Sequence, residues 1–211
     1  MEQTYAIELK NITKRFGKIV ANDGINLKVK RGEILSLLGE NGSGKTTLMN
    51  MISGIYFPDE GHILVDGKAV SIRSPKDSFD LGIGMIHQHF KLIDVMTAAE
   101  NIILGLKGNA VLDMKKVHKD IQELVDRYGF DLDPAQKVYT MSVSQKQTVE
   151  IVKMLYRGAN ILILDEPTAV LTPQEVDKLF EVLRNMRDDG RAIIIITHKL
   201  NEVLELSDRV A

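Results

Sequence analysis

Hydrophobic and polar positions follow two different patterns along the chain. In the first third, short β-like runs separated by turn residues predict strands at residues 5–9, 25–30, 33–39 and 62–67. Beyond residue 160, the continuous apolar runs ILIL and AIIII are separated by helical segments. Apolar strands of this kind are typical of a parallel sheet that is buried on both faces. The pattern therefore predicts an α/β fold whose N-terminal part is rich in strands.

Helical periodicity prevails between the two strand-rich parts. Thr97 and Glu100 fit a capping box, and apolar positions from Met114 to Tyr128 line one face of a helix that ends at Gly129. Two further helices are predicted near the C-terminus, one from Pro173 to about Arg187 and one from Lys199.

This change of texture divides a single predicted domain, residues 1–211, into two parts. Residues 94–157 are expected to form a helical subdomain, and residues 1–93 and 158–211 are expected to form the core. The last residues, LSDRVA, supply no capping element and no closing turn, so we expect the natural protein to continue beyond Ala211.

The stretch MSVSQKQTVEIV lies late in the helical part. Ser142 with Gln145, and Ser144 with Gln147, both fit the S-x-x-Q capping box, and apolar positions follow at helical spacing. On the residues alone, the stretch is a helix start at either serine.

Composition excludes several classes of protein. The formal net charge of -2 creates no positive electrostatic field that would attract a nucleic acid. The chain contains no cysteine, which excludes a disulfide framework and a thiolate metal site. The longest apolar runs are far shorter than the roughly 20 residues that cross a bilayer. If this protein serves a membrane, it does so through a partner.

The stretch GENGSGKTT matches G-x-x-x-x-G-K-[ST], follows the apolar strand EILSLL and runs into the helical TTLMNMISG. Backbone N–H groups of such a loop surround a polyphosphate, and small glycines keep the concavity open. We expect Lys45 to reach the β and γ phosphates of ATP and the Thr46 hydroxyl to bind Mg²⁺. The alternative is a chance glycine turn, which the flanking strand and helix disfavour. The predicted nucleotide-binding residues of the loop are Gly39, Glu40, Asn41, Gly42, Ser43, Gly44, Lys45, Thr46 and Thr47.

Polar residues at the ends of predicted strands complete the chemistry. Asp165 and Glu166 follow ILIL, where Asp165 is suited to the Mg²⁺ shell and Glu166 to orienting the attacking water. His198 follows AIIIIT and can donate to a γ phosphate, provided that its strand neighbours the other two. Gln88 offers a neutral oxygen to metal and water, and Phe16 can stack on adenine. The simpler interpretation is structural: the two acids belong to a turn at a strand end, the histidine lies on the surface, and the phenylalanine is a packed aromatic.

His87 and His89 share a face on a predicted strand, which raises the alternative of a zinc site. No third ligand accompanies the pair, so the pattern disfavours zinc.

These motifs, in this order and at these separations, resemble an ATP-binding subunit of the ABC transporter family. The resemblance implies a P-loop NTPase (RecA-like) core with an N-terminal antiparallel β subdomain and an α-helical signature subdomain. It also implies that two such domains enclose two ATP molecules. The family signature L-S-G-G-Q aligns with MSVSQ, so the resemblance implies a contact with the phosphate of the opposite domain from Ser142, Val143, Ser144 and Gln145.

Finer features are similar to the simple-sugar and nucleoside importers, in which two ABC halves share one polypeptide. These features are the turn DEPTAVLT, with Thr172 where most members have Asp, and THKLNEV. The resemblance implies the first half of such a protein, with a second half beyond Ala211. It further implies that ATP hydrolysis powers import, that a membrane permease docks at Gln88–Met96, and that the protein is peripheral on the cytoplasmic face.

Two departures from the family pattern bear on the signature. Ser144 replaces the second signature glycine, and Thr148 stands where a basic residue is common. A side chain at a close backbone approach either obstructs the phosphate or donates its own hydroxyl. Two rival functions are a soluble, non-transport ABC ATPase that acts as a mechanical clamp, and a P-loop kinase. A clamp of this kind would be expected to carry long coiled-coil inserts or basic surfaces, and the sequence contains neither. The kinase reading leaves the signature and His198 unexplained.

Overall fold

A computed structural model describes residues 5–88, 90–106 and 113–211. The strands are β1 (Tyr5–Phe16), β2 (Ile19–Lys30), β3 (Ile34–Leu38), β4 (Glu60–Val65), β5 (Lys68–Val70), β6 (Ile83–Ile86), β7 (Ile161–Asp165), β8 (Ala192–Thr197) and β9 (Arg209–Val210). The helices are α1 (Lys45–Ile52), α2 (Pro75–Asp80), α3 (Ala98–Ile103), α4 (Met114–Tyr128), α5 (Val143–Tyr156), α6 (Pro173–Asp188) and α7 (Leu200–Leu206), with a short 3-10 helix at Val138–Thr140.

The N-terminal strands form an antiparallel sheet in the order β2-β1-β4-β5. Leu9 pairs with Leu27 on one side of β1 and with Ile63 on the other, and all three side chains are buried. The antiparallel β subdomain that the family resemblance implies is therefore present. Both β1 and β2 are longer than their apolar runs suggest, because they continue into a hairpin around Gly17, whose φ of 59° favours glycine.

The core sheet is parallel, in the order β6-β7-β8-β3-β9. Every residue of β8 is buried, and so are the first four residues of β7, which confirms the predicted parallel sheet covered on both faces. Strand β6 is short and ends at Ile86, so the prediction that His87 lies on a strand is wrong. A β-carbon at Gly84 would approach the Met154 side chain to 3.1 Å, so this glycine lets α5 pack closely on the sheet.

The last residues pair with the core sheet, which the sequence pattern did not predict. Arg209 and Val210 form β9, which pairs with β3, and Ala211 exchanges backbone hydrogen bonds with Ser36 and Leu38. The sequence pattern contained no closing element here, because two residues are too few for a strand signal. The pairing adds a fifth strand to the core sheet.

Helices fill the segment between the two strand-rich parts, as predicted. The Thr97–Glu100 capping box is present, and α4 ends at Gly129, whose φ is 78°. Helix α5 starts after Ser142, which forms a capping box with Gln145, so the alternative start at Ser144 is wrong. These helices share their own cluster of buried residues, including Ile102, Ile121 and Val149, but the exact division at 94 and 157 stays a prediction.

One buried side chain ties the helical part to the core. Tyr128, the last residue of α4, is 1% exposed, and its hydroxyl lies 2.5 Å from Asp189 Oδ2 and 3.0 Å from Arg191 Nε. Asn185 Nδ2 also donates to the Tyr128 carbonyl over 3.1 Å. Because Asp189 and Arg191 lie between α6 and β8, these hydrogen bonds hold the end of α4 against the core sheet.

We expect Tyr128→Phe to lower the free energy of unfolding by about 1–2 kcal/mol, since it removes a buried hydroxyl that has two partners. Urea unfolding of the purified chain measures the change. The matched control is Tyr139→Phe, because Tyr139 is 65% exposed and should change stability little. Equal effects of the two substitutions would contradict the role of the Tyr128 hydroxyl.

Candidate active site

The glycine-rich loop lies between β3 and α1, in the strand-loop-helix order that its motif requires. Gly44 precedes α1 with a φ of 89°, and a β-carbon there would come within 2.4 Å of the Ala21 carbonyl oxygen. Gly42 also has a positive φ, of 85°, but its surroundings are open. The loop motif predicts that small residues at both positions leave space for phosphate. In the structure, Gly44 is required because β2 approaches it closely. Gly42 is favoured because its φ is positive.

Lys45 closes the loop from within. Its ammonium donates to the carbonyl oxygens of Gly39 over 2.7 Å and Glu40 over 2.8 Å, and to Ser43 Oγ over 3.2 Å. These contacts hold a positive charge at the centre of the loop, where the backbone N–H groups of the α1 N-terminus also converge. Thr46 is exposed in the first turn of the same helix. The loop is therefore organised to receive an anion.

Four parallel strands end at one edge of the sheet. Leu38 pairs with Thr197, Asp165 pairs with Ile196, and Ile86 pairs with Leu164. Strand β8 thus lies between β3 and β7, which confirms the predicted neighbourhood of the strand that precedes His198. The register brings the segments after all four strands together beside the loop.

Asp165 lies half-buried at the end of β7. Burial raises the pKa of its carboxyl above 3.8, and the adjacent Glu166 carboxylate raises it further, whereas His87 and Lys45 act in the opposite direction. The ionised form of Asp165 is therefore held at a cost in free energy. A bound cation would offset that cost, as expected of a metal ligand.

Glu166 has a strained backbone and an unsatisfied side-chain atom. Its φ is 48°, and its N–H donates to the Ile196 carbonyl over 2.9 Å. Glu166 Oε1 lies 2.8 Å from His198 Nδ1, whereas Glu166 Oε2 is buried and meets no donor in the described part of the chain. A left-handed glutamate is uncommon, and strain of this kind clusters at functional sites. The two residues predicted as catalytic are therefore in direct contact.

Gln88 lies beside this centre, whereas Phe16 lies on the β1–β2 hairpin. Gln88 is exposed and lines a small cavity together with Asp165 and Glu166. Phe16 is 42% exposed at the tip of the β1–β2 hairpin, where its ring packs edge-on against Tyr56 at 5.2 Å between centroids. Lys14 Nζ also lies over this ring, 5.5 Å from its centroid, so Phe16 is partly covered on the hairpin that approaches the loop at Gly44.

The histidine pair that raised the zinc alternative lies only partly within the described residues. His89 lies outside the described residues, and burial lowers the pKa of His87. Within residues 5–88, 90–106 and 113–211, no group of three or more His, Cys, Asp or Glu side chains has the arrangement of a metal site.

The signature residues lie at the N-terminus of α5. Ser142 Oγ accepts a hydrogen bond from the Gln145 N–H, and the side chain of Gln145 returns the contact to the Ser142 N–H. Ser144 Oγ donates to Glu175 Oε1 over 2.6 Å and lies 2.9 Å from Ser142 Oγ. The hydrogen of the Ser144 hydroxyl is thus directed to a carboxylate of the same chain, and this contact lowers the pKa of Glu175.

Two features of this region were not predicted, the replacement of a signature glycine by Val143 and the tertiary contact of Gln147. Val143 occupies the first glycine position of the signature and is 46% exposed. Gln147 is 3% exposed, and its Nε2 donates over 2.9 Å to the carbonyl of Pro167, which follows Glu166. The departure at Val143 could have been found by comparing MSVSQ with L-S-G-G-Q position by position. The contact of Gln147 depends on packing between α5 and β7 and leaves no local signal.

The family profile described as "ABC transporter" matches residues 22–169, well over half of the chain. The chain therefore belongs to the ABC transporter family. No helix within the described residues is long and apolar enough to cross a membrane.

Among curated relatives, the chain is 51% identical over 212 residues to the nucleoside import ATP-binding protein NupA of Lactococcus lactis, covering 100% of this chain and 42% of that protein. It is 53% identical over 208 residues to the guanosine import ATP-binding protein NupO of Bacillus subtilis, covering 98% and 41%. The ribose import ATP-binding protein RbsA 2 of Escherichia coli O157:H7 is 44% identical, covering 100% and 42%. The chain thus spans less than half the length of these relatives.

Solved structures of the family share the fold. The ADP conformation of the ATP-binding cassette MJ1267 superimposes with a TM-score of 0.87 at 26% identity, covering 98% of this chain and 86% of that chain. A dimeric, post-hydrolysis state of the cassette MJ0796 bound to ADP and phosphate superimposes with a TM-score of 0.81 at 28% identity, covering 97% and 92%. The architecture is that of a P-loop NTPase of the ABC type.

We expect Asp165→Asn to raise the stability of the nucleotide-free chain at neutral pH. The folded chain raises the pKa of this carboxyl, so Asp165 costs no stability below pH 3.8. The cost grows as the pH rises from 3.8 through the folded pKa. The stability gained by Asn should therefore be absent at low pH and grow to a plateau as pH rises. Thermal unfolding of both proteins across a pH series measures it, and a gain that does not vary with pH would contradict the burial of a costly charge.

Proposed function

We propose that this chain is the ATP-hydrolysing half of an importer. The observation that carries the proposal is the Glu166–His198 pair, which lies beside the phosphate loop with a buried, unsatisfied Glu166 Oε2. A polarised carboxylate at the sheet edge is suited to holding and activating a water molecule. Membership of the ABC transporter family and its dimeric, ADP-bound and phosphate-bound relatives support ATP as the substrate.

The loop and the strand ends divide the work. Residues 39–47 bind the phosphates through backbone N–H groups, with Lys45 moving from its carbonyl contacts to the β and γ phosphates. Glu166 orients the attacking water and accepts its proton. His198 orients Glu166 through Nδ1, and its other ring nitrogen donates toward the γ phosphate when both ring nitrogens carry a proton. Phe16 stacks on the adenine.

The residues present fit a magnesium ion. Thr46, Gln88 and Asp165 offer hydroxyl, amide and carboxylate oxygens, the hard donors that Mg²⁺ prefers. Burial raises the pKa of Asp165 and so disfavours its ionised form, a cost that a bound cation would offset. When bound, Mg²⁺ neutralises charge on the transferred phosphate.

The signature is proposed to act on a second site. Ser142, Val143, Ser144 and Gln145 would face the γ phosphate held by a second ABC half, which we place beyond Ala211 in the same polypeptide. The coverage of only 41–42% of the relatives' length supports this placement. The N-terminus of α5 offers the backbone N–H groups that such a contact needs.

Import through a permease is the most strongly supported transport role. The relatives named above are nucleoside, guanosine and ribose import ATP-binding proteins, so a nucleoside or simple sugar is the proposed solute class. The proposed permease contact is Gln88–Met96. A groove of about 280 Å³ between α2, β6 and α5 is lined by Lys91 of this segment and by the adjacent His87. The chain would then be peripheral on the cytoplasmic face of the membrane. A non-transport ABC clamp is less well supported, because these relatives are all named as import proteins.

The test is to place the full-length protein and its permease in vesicles and to compare wild type with Glu166→Gln. We expect the variant to keep ATP binding and to lose turnover by about two to four decades, because a positioned general base is lost while the loop is unchanged. Solute uptake, with nucleosides and ribose tested separately, should fall in parallel.

Glu181→Gln, an exposed site on α6, is the matched control and should change neither rate. Hydrolysis by Glu166→Gln at the wild-type rate would move the general base elsewhere. ATPase activity without uptake of any solute would favour a non-transport role.

Ser144→Gly provides a test of the second site. Because the Ser144 hydroxyl already donates to Glu175, it has no hydrogen left for phosphate, so we favour obstruction over donation. Glycine should strengthen ATP binding at the second half by about ten- to a hundredfold, the equivalent of one recovered charge-assisted contact. Calorimetry on the full-length protein measures it, and ATP affinity at this chain's own loop is the internal control. A change confined to that loop would contradict the assignment to the opposite site.

A further inference from the structure

We propose that Glu202, on α7, is a positioning residue that holds Glu166 and His198 at hydrogen-bonding distance. The inference rests on the proposed ATPase function and adds a residue to it that the motifs do not include.

The carboxylate of Glu202 binds both segments that carry the catalytic pair. Thr168 Oγ1 donates to Glu202 Oε1 over 2.6 Å and to Oε2 over 2.7 Å, and Thr168 lies two residues after Glu166. Thr197 Oγ1 donates to Glu202 Oε2 over 3.3 Å, and Thr197 directly precedes His198. One side chain therefore joins the turn after β7 to the turn after β8.

The environment makes this connection rigid. Thr168 and Thr197 are each 1% exposed, so their hydroxyls need a protein partner, and Glu202 provides it for both. Lys199 Nζ lies 3.0 Å from Glu202 Oε1 and 3.2 Å from both the carbonyl and the hydroxyl oxygen of Thr168. The Glu202 side chain is only 14% exposed, so this ion pair is partly shielded from water.

Helix capping does not account for these contacts. Glu202 is the third residue of α7, the position from which a glutamate usually reaches back to the N–H of the residue before the helix. Here the N–H of that residue, Lys199, donates instead to Thr197 Oγ1 over 3.1 Å. The Glu202 carboxylate is thus directed toward the two threonine hydroxyls, away from the usual capping contact.

The positions that Glu202 holds are those at which small displacements matter. Glu166 has a left-handed φ of 48°, a conformation that persists only where surrounding contacts enforce it. Its contact with His198 is 2.8 Å long and joins two different strand ends. Because Glu202 acts through Thr168 and Thr197, its loss should disturb the Glu166–His198 geometry and leave the phosphate loop intact.

The test uses the full-length protein with its permease and compares Glu202→Gln with Glu205→Gln. In Glu202→Gln, the amide nitrogen can no longer accept from a threonine, and Lys199 loses its counter-charge. We expect kcat to fall by about ten- to a hundredfold, as for a misplacement of catalytic groups on the order of 1 Å, with the KM for ATP within about twofold of wild type. Glu205 is on the same helix with a side chain 54% exposed, and its substitution should alter neither constant.

A second pair of variants serves if Glu202→Gln folds poorly. Thr168→Val keeps the shape and removes the hydroxyl, so it should lower kcat as Glu202→Gln does, and the double variant should lose no more than either single one. Thr168→Ser restores the hydroxyl and should recover most of the rate. In a Glu166→Gln background, Glu202→Gln should cause no further loss.

Two results would overturn the inference. One is a kcat for Glu202→Gln and Thr168→Val equal to that of the Glu205→Gln control. The other is an additional loss in the Glu166→Gln background, which would indicate a general structural effect. The proposed function fails separately, by full hydrolysis in Glu166→Gln, so the two failures are distinguishable.

Discussion

The in-register pairing of four parallel strands is the constraint on which this site depends. Leu38 opposes Thr197, and Asp165 opposes Ile196, so the segments after β3, β7 and β8 leave the sheet at one level. The pairing is stabilised by side chains that are buried on both faces of β8 and along most of β7. A slip of one residue would invert the faces of a strand and move its catalytic end away from the loop. The apolar core thus determines where the polar chemistry lies.

The polar groups at this edge are held under strain, and the surrounding structure compensates for it. Asp165 is half-buried beside Glu166, Glu166 has a left-handed backbone, and one of its oxygens is buried without a donor in the described part of the chain. None of these features favours the fold of the chain by itself. They persist because backbone hydrogen bonds, the parallel ladder and the Thr168–Glu202 contacts overdetermine the geometry. Such costs are expected where a protein keeps charged groups ready for a ligand.

Helix α5 connects the helical part to the core through two polar contacts, one of which lies at the proposed catalytic edge. Gln147 donates to the carbonyl of Pro167, next to Glu166, and Ser144 donates to Glu175 at the start of α6. Tyr128 anchors the end of α4 to the core at a different place. A movement of α5 would therefore displace the segment that follows β7, because Gln147 is hydrogen-bonded to it. In a two-site ATPase, this arrangement joins the residues proposed for one site to the residues proposed for the other.

The sequence by itself determined the parts of this protein that depend on local order. The phosphate loop between a strand and a helix, the buried β7 and β8, the capping box at Thr97 and the end of α4 were all predicted, because each needs only neighbouring residues. The pattern left the start of α5 open between Ser142 and Ser144, and the structure decides for Ser142. The same local motifs identified Asp165, Glu166 and His198 as candidates. Tertiary structure alone decided that Glu166 touches His198, that Ser144 donates to Glu175, and that Gly44 must clear the Ala21 carbonyl. It also decided the short β9 and the contacts of Glu202, since these join residues far apart in the chain whose meeting depends on strand order and helix packing, and no local pattern carries that information.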